Sequence, residues 1–376
     1  MRSGLEEGYR NVGRRARDIG IMIGRLPPGP SNSLVDVPGV RVGQVTLIEG
    51  EGPLRPGQGP VRTGVTVILP HAGNVFRDKV VAAARVVNGY GKSVGLAQIS
   101  ELGSIESPIA LTNTLNVGLV MDALVEYTLR QNPELGLSVP GSVNVVVGEC
   151  NDSYLNDIRG RHVKAQHVER ALALASADQV EEGAVGAGTG TSCFEFKGGI
   201  GTASRLVVSE SGGYTVGVLV LSNFGRRADL LVDGVPVGRE LAAVEPEAGE
   251  AGGSIVMVLG TDAPLSSRQL GRVASRCTVG LARTGSVVGH SSGDFVLAFG
   301  PTLTQVAARA EEAMDLERSG HIDSLFRAAA ECTEEAILNS MLMAETTIGR
   351  DGHVREALPL DRLAETMRRH GRQVQL

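Results

Sequence analysis

The sequence predicts a layered α+β sandwich, and three observations carry that reading. Apolar runs of strand length and stretches of helical periodicity are mixed along the 376 residues with no regular βα alternation, which argues against a doubly wound parallel sheet or a barrel. No internal repeat is present. With 50 Gly, no Trp and 3% aromatic residues, core volume has to come from Val, Ala, Leu and Ile, which favours tight turns and closely packed layers.

Taken in order, the strand-like runs are Val40–Ile48, Gly64–Leu69, Ser142–Val147, Tyr214–Leu221, Ser254–Leu259 and Asp294–Phe299, each apolar and bounded by Gly, Pro or Asp. Apolar positions recur three and four apart in Lys79–Val87, Val117–Arg130, Ser267–Arg283 and Leu325–Ala344, which predicts helices. In the third, Leu270, Val273, Ala274, Cys277 and Leu281 mark one face, with Ser266 or Ser267 as N-cap and Gly285 as the stop. Arg239–Gly253 breaks this pattern: it carries glutamates, one proline and three glycines but almost no bulky apolar side chains, so an exposed, mobile segment is expected there.

Composition excludes several classes of function. A net charge of −6, with no basic stripe interleaved with aromatics, argues against a nucleic-acid partner. Cys150, Cys193, Cys277 and Cys332 are far apart, show no CxxC spacing and lie in apolar stretches, so they read as reduced core thiols. The histidines show neither HExxH nor HxxEH spacing, and no metal is expected. The first residues lack the apolar core of a secretory signal and no run reaches membrane-spanning length, so a soluble cytoplasmic protein without a membrane partner is expected.

Two motifs invite readings that their context weakens. In Gly183–Arg205, Gly186, Gly188 and Gly190 give GxGxG, but the residues that follow run into strands, leaving no helix N-terminus to receive a pyrophosphate. A turn-rich structural loop fits better. GHSSG (Gly289–Gly293) matches the nucleophile-elbow pattern with Ser291 as nucleophile, yet the predicted helix precedes the motif and a strand follows it, the reverse of an elbow.

Ser254 is different. Gly252 and Gly253 permit backbone geometries closed to other residues, and a hydroxyl follows immediately before a buried strand. A serine hydroxyl can attack the peptide bond that precedes it when the backbone is held in a strained turn, giving an ester that water hydrolyses. Cleavage there would make Ser254 an N-terminal residue whose α-amine, with a reference pKa near 8, can deprotonate its own hydroxyl.

Read together, ARDIGI, NSLVDVPGVRVGQVT, GVTVILP, SPIALTNTLNVG, VVGECNDSYLNDIRG, GAVGAGTGTSCFEFKGGIGTASR, VLVLSNFGRR, GGSIVMVLGTDAPL and LNSMLMAETTIGRDG occur in an order that resembles the DmpA/BapA-type aminopeptidases of the S58 peptidase family, which are similar to N-terminal-nucleophile hydrolases. The resemblance covers most of the chain. It implies an α+β fold, a four-layer αββα sandwich of the DmpA/ornithine-acetyltransferase type, formed by residues 1–376 as a single domain. It also implies a precursor cut between Gly253 and Ser254 into 1–253 (α chain) and 254–376 (β chain), a homotetramer of αβ heterodimers, and no cofactor.

Carried over position by position, the resemblance makes Ser254 the nucleophile, with Ser292 and Asp294 in SSGDF orienting it. Asp294 is one methylene shorter than the glutamate of some relatives. Asn223 in LSNFGRR is similar to the family's oxyanion asparagine, and Asn151 in GECNDSY stands where some relatives have a tyrosine that assists the oxyanion. An exopeptidase must hold a free N-terminus with a fixed negative charge, and Glu149 is the candidate. The implied activity is removal of N-terminal residues from short peptides, amino-acid amides or esters through an acyl-enzyme on Ser254. Two rivals stand beside it: an α/β-hydrolase-type esterase using Ser291, and an unprocessed small-molecule-binding or assembly protein.

Overall fold

The computed structural model describes residues 13–209, 212–241 and 253–376. Its first elements are β1 (Arg41–Glu49), β2 (Val61–Leu69), β3 (Val80–Gly89), α1 (Leu96–Leu102), β4 (Ser104–Ile105), β5 (Ile109–Asn113), α2 (Val117–Gln131), β6 (Val146–Cys150) and α3 (Ala165–Ala173). A short hairpin of β7 (Ser192–Cys193) and β8 (Phe196–Lys197) leads to β9 (Ile200–Ser209), β10 (Gly212–Asn223) and α4 (Val237–Leu241). Then come β11 (Gly253–Thr261), α5 (Ser267–Ala274), α6 (Cys277–Arg283), β12 (Ser292–Thr302), α7 (Leu303–Ala308), α8 (Ala310–Arg318), α9 (Ile322–Leu342), β13 (Thr347–Ile348), β14 (Val354–Arg355) and α10 (Leu360–Arg369).

Two sheets carry the fold, one in the order β1-β2-β5-β6 and a larger one in the order β4-β3-β12-β11-β10-β9. Their central strands are buried on both faces, so alternate residues feed different cores. Ile68, Leu111, Val146, Leu219, Val256 and Leu297 pack in the core shared by the two sheets. Val218, Met257 and Val296, the residues of opposite parity, pack with Leu270, Leu281, Leu325 and Ile337 of α5, α6 and α9. On the far side of the smaller sheet, Val65, Val67 and Ala110 pack with Val120, Leu124, Val168 and Ala171 of α2 and α3. Three cores between four layers make the αββα sandwich that the chain's resemblance implied.

The strand and helix expectations hold for β1, β2, β10, β11, β12, α2 and α9, with two corrections and one shift. Lys79–Val87 is not a helix but most of β3, paired with β12 on one side and β4 on the other. Its Val80 and Ala82 enter the core between the sheets while Val81 and Ala83 face the helices, so both faces are apolar and the period-two signal is lost among alanines that favour helix. Ser267–Arg283 forms two helices rather than one, broken at Ser275 and Arg276; the Ser266 capping box and a left-handed Gly285 stand where expected. The run expected at Ser142–Val147 is shifted to Val146–Cys150, where β5 supplies the partner. Within the acidic segment, Leu241 is buried at the end of α4 and Gly253 opens β11; residues 242–252 lie outside the described residues.

A buried charge network ties the chain's first described stretch to α9. Arg205 on β9 is fully buried and pairs with Glu331 and Glu335, both also buried. Glu335 further accepts from Arg17 at 2.9 Å and from the Asn32 amide at 2.6 Å. Removing one partner of such a network strands the others without solvent. Arg205→Ala is therefore expected to cost about 3–5 kcal/mol of stability in denaturant unfolding at pH 7; a loss within the ordinary surface range would show that the carboxylates are compensated elsewhere.

Candidate active site

Ser254 is the second residue of β11, an interior strand of the larger sheet, and its neighbours on both sides are set by register. Antiparallel β10 places Asn223 opposite it, and parallel β12 places Gly293 opposite it. The serine is 6% exposed, and its Oγ donates to the Gly253 carbonyl oxygen at 2.7 Å. Gly253 is required for this approach: a Cβ there would lie 2.9 Å from both Cα and Cβ of Phe224, closer than real side-chain contacts allow.

Strand alternation sorts the expected site residues onto two faces. Asn223 and Ser254 share the parity of Leu221 and Val256, which face the smaller sheet. Ser292 and Asp294 flank Gly293 and share the face of Ile255, toward the helices. They cannot orient the Ser254 hydroxyl directly; what they can address is its backbone nitrogen, which lies in the plane of the sheet. Ser292 Oγ donates to Asp294 Oδ1 at 2.7 Å, and Asp294 Oδ2 is buried with no hydrogen-bond partner among the described residues. Burial holds the Asp294 carboxyl above the ordinary carboxylate range, against the Ser292 hydroxyl and the Ile255 amide, which pull it down.

Asn223 is held by both ends of its amide. The Ser192 backbone N–H donates to Oδ1 at 3.0 Å, which fixes the oxygen, and Nδ2 donates to the Asn151 carbonyl at 2.9 Å. One amide N–H is left to serve another acceptor. Ser192 belongs to the glycine-rich stretch, whose geometry is the turn-rich loop expected rather than a nucleotide site. Lys197, fully buried, donates Nζ to the carbonyls of Gly188, Thr191 and Gly198 at 2.9, 2.8 and 2.6 Å. Burial pushes its ammonium down to about 7, while the three carbonyls are oriented to hold the charged form.

Ser254 and Asn223 open onto a cavity of about 520 Å³, within the usual range of small-molecule sites. Glu149, Asn151 and Ser291 also line it; Ser292 and Asp294 do not. Glu149 is 2% exposed, accepts from the Lys92 backbone N–H at 2.9 Å and from the Thr114 hydroxyl, and makes no ion pair among the described residues. Asn151 contributes its backbone carbonyl to Asn223, and its side-chain oxygen is turned to the Ser153 amide at 2.9 Å. Tyr90, Tyr154 and Arg355 share the wall, and sequence reasoning missed all three. DSY and HVREA carry no pattern of their own; only the fold brings them here.

The rival nucleophile gains no support from its surroundings. Ser291 lines the cavity from a turn that runs into β12, with α6 well before it and a strand rather than a helix directly after it. No histidine hydrogen-bonds it among the described residues, whereas an elbow serine needs such a base. The four cysteines are buried and unpaired, and burial pushes the Cys193 and Cys277 thiols up to about 12. Among the described residues, no helix is long and apolar enough to cross a membrane.

Comparison with known proteins identifies the family of the chain. The family model of peptidase family S58 matches residues 32–355. Beta-peptidyl aminopeptidase BapA of Sphingosinicella microcystinivorans is 40% identical over 96% of this chain and 93% of its own. The crystal structure of the PH0078 protein from Pyrococcus horikoshii OT3 superposes with a TM-score of 0.86 at 53% identity, covering 96% of this chain and 100% of that one. The L-aminopeptidase D-Ala-esterase/amidase of Ochrobactrum anthropi, described as a prototype for the serine aminopeptidases and a new variant among the Ntn hydrolase fold, gives a TM-score of 0.85 at 35% identity, covering 96% and 99%.

The orphaned Asp294 oxygen makes a stability prediction. A carboxyl whose pKa is raised by folding withdraws stability as pH climbs from its unfolded value, about 3.9, through the raised folded value. In a Ser254→Ala background, Asp294→Asn is expected to raise the melting temperature at pH 7, with the gap closing toward pH 3. A lower melting temperature at pH 7 would mean that the charge is compensated in the fold.

Proposed function

This chain is an aminopeptidase of peptidase family S58, and from that premise we propose that it activates itself by cutting between Gly253 and Ser254 and then removes N-terminal residues from short peptides, amino-acid amides or esters. In the first step Ser254 Oγ attacks the Gly253 carbonyl carbon. The C–N bond breaks as the nitrogen takes up the hydroxyl proton, leaving an ester; water hydrolyses it to a Gly253 carboxylate and a free Ser254 with its α-amine. The hydroxyl already beside that carbonyl, with no side chain on Gly253 to block it, supports this step.

In turnover the α-amine of Ser254 takes the proton from Oγ as the oxygen attacks the substrate carbonyl, and passes it to the leaving amine as the substrate C–N bond breaks. Water, deprotonated by the same amine, then hydrolyses the acyl ester. The second N–H of Asn223 donates to the oxyanion. Ser292 and Asp294 hold the new amine from the opposite face of the sheet.

The observation that carries the exopeptidase reading is Glu149. A buried carboxylate bonded only to neutral donors on the wall that holds the nucleophile is completed by a substrate ammonium. A homotetramer of αβ heterodimers is part of the same proposal, and light scattering of the processed protein tests it.

Intact mass distinguishes the outcomes: fragments of 253 and 123 residues (376 − 253 = 123) for the wild type and one uncut chain for Ser254→Ala. One uncut chain in both would end the processing mechanism. Asn223→Ala is expected to lose roughly 100- to 1000-fold in kcat. Glu149→Gln should raise KM roughly tenfold or more, a charged hydrogen bond being worth about 1.5–3 kcal/mol. Activity lost in Ser291→Ala and kept in Ser254→Ala would transfer the nucleophile to the GHSSG turn.

A further inference from the structure

The cavity wall carries a second, opposite charge. Arg355 ends β14, and its guanidinium is fixed in place from two sides. Nε donates to Ser192 Oγ at 3.0 Å, and the guanidinium carbon lies 3.7 Å from the centroid of the Tyr154 ring. Tyr154 is itself stacked on His353, with centroids 4.6 Å apart and planes within 17°, and His353 Nδ1 bonds the Tyr154 carbonyl at 2.8 Å. The Glu356 carbonyl, next in the chain, accepts from the Lys197 backbone N–H at 2.7 Å, which anchors the strand end to the β7–β8 hairpin.

Among the described residues, neither Nη of Arg355 takes part in a hydrogen bond or ion pair. The other carboxylate on that wall, Glu195, takes the Arg227 N–H at 3.2 Å and makes no ion pair with Arg355. Arginine stays charged at any working pH, and its paired N–H groups match the two oxygens of a carboxylate.

The hydrogen bonds also order the wall. Glu149 is two residues from Asn151, whose carbonyl holds Asn223; Asn223 is held in turn by the Ser192 N–H, and Ser192 Oγ by Arg355. The residue placed opposite Ser254 in the sheet is thus tied by hydrogen bonds to the segment of an anion, Glu149, and through Ser192 to a cation, Arg355, all lining one cavity. Lys92, the wall's other cation, gives its backbone N–H to Glu149 and lies over the Tyr90 ring at 4.9 Å, at the anionic end. A dipeptide spans about 7 Å at about 3.5 Å per residue, and each further residue adds about 3.5 Å more.

We propose that Arg355 forms a carboxylate subsite for the leaving residue, so that this site selects dipeptides with a free C-terminus, gripped by Glu149 at the ammonium and by Arg355 at the α-carboxylate. The inference rests on the aminopeptidase reading of Ser254 and Glu149 and specifies its substrate class.

The test compares alanylglycine with alanylglycinamide, as the ratio of their kcat/KM values. In the wild type the free acid is expected to be preferred at least about tenfold, the value of one charge-assisted pair at roughly 1.4 kcal/mol. In Arg355→Gln the ratio should fall to about one. Arg355→Lys, which keeps the charge without the fork, should retain part of the preference and serves if the glutamine variant does not fold. A purely structural role for Arg355, bracing Ser192 and Tyr154, would lower both rates together and leave the ratio unchanged; that result, or a wild-type ratio near one, overturns the subsite. Hydrolysis of neither substrate by processed wild-type enzyme would instead overturn the aminopeptidase reading beneath it.

Discussion

The register of β10, β11 and β12 is the constraint on which the rest of the site depends. Ser254, the residue proposed to become a chain terminus, sits near the start of an interior strand, so both of its flanks are set by backbone ladders. Antiparallel pairing brings in Asn223, and parallel pairing brings in Ser292, Gly293 and Asp294. Shifting either partner by one residue would exchange the faces on which these side chains project. Glycine at 253 and at 293 follows from the same crowding, since a Cβ at 293 would lie 2.7 Å from the Tyr90 carbonyl oxygen.

The molecule accepts several buried charges to hold this arrangement. Lys197 lies under the hairpin that fixes Asn223, and Asp152, pushed up to about 7 by burial, accepts from Thr63 and Asn156 beneath the segment carrying Asn151. Both sit one step behind a cavity residue, in positions where an apolar side chain would pack more cheaply but orient nothing. Asp294 is the extreme case, with one oxygen left unmatched among the described residues, beside the strand that bears Ser254.

The chain order disclosed the layers unevenly and singled out one candidate nucleophile. Strands with strong apolar runs were legible because burial on both faces leaves a continuous signal, and Ser254 stood out as a candidate because GGS before a buried run is chemically unusual. β3 was not, because alanines on two buried faces imitate a helix stripe. The sides taken by Ser292 and Asp294 follow from pairing register, which single-sequence periodicity does not contain. Arg355 and Tyr154 were invisible for a different reason: they lie 201 residues apart in the chain (355 − 154 = 201) and meet only through stacking.

The interleaving of the two halves around residue 253 has a kinetic side. β11 and β12 lie between β10 and β3, and α9 packs on β9 and β10, so the larger sheet and the helix layer against it need both halves, while the smaller sheet with α2 and α3 lies wholly in the first. A continuous chain folds in a unimolecular reaction whose rate is independent of concentration. A chain severed at that bond would come apart on denaturation into two species, and its return would be second order, its half-time lengthening with dilution. If the chain is cut as proposed, a cut made after folding keeps assembly of the larger sheet independent of concentration, whereas a cut made before it would slow that assembly as the protein becomes scarce.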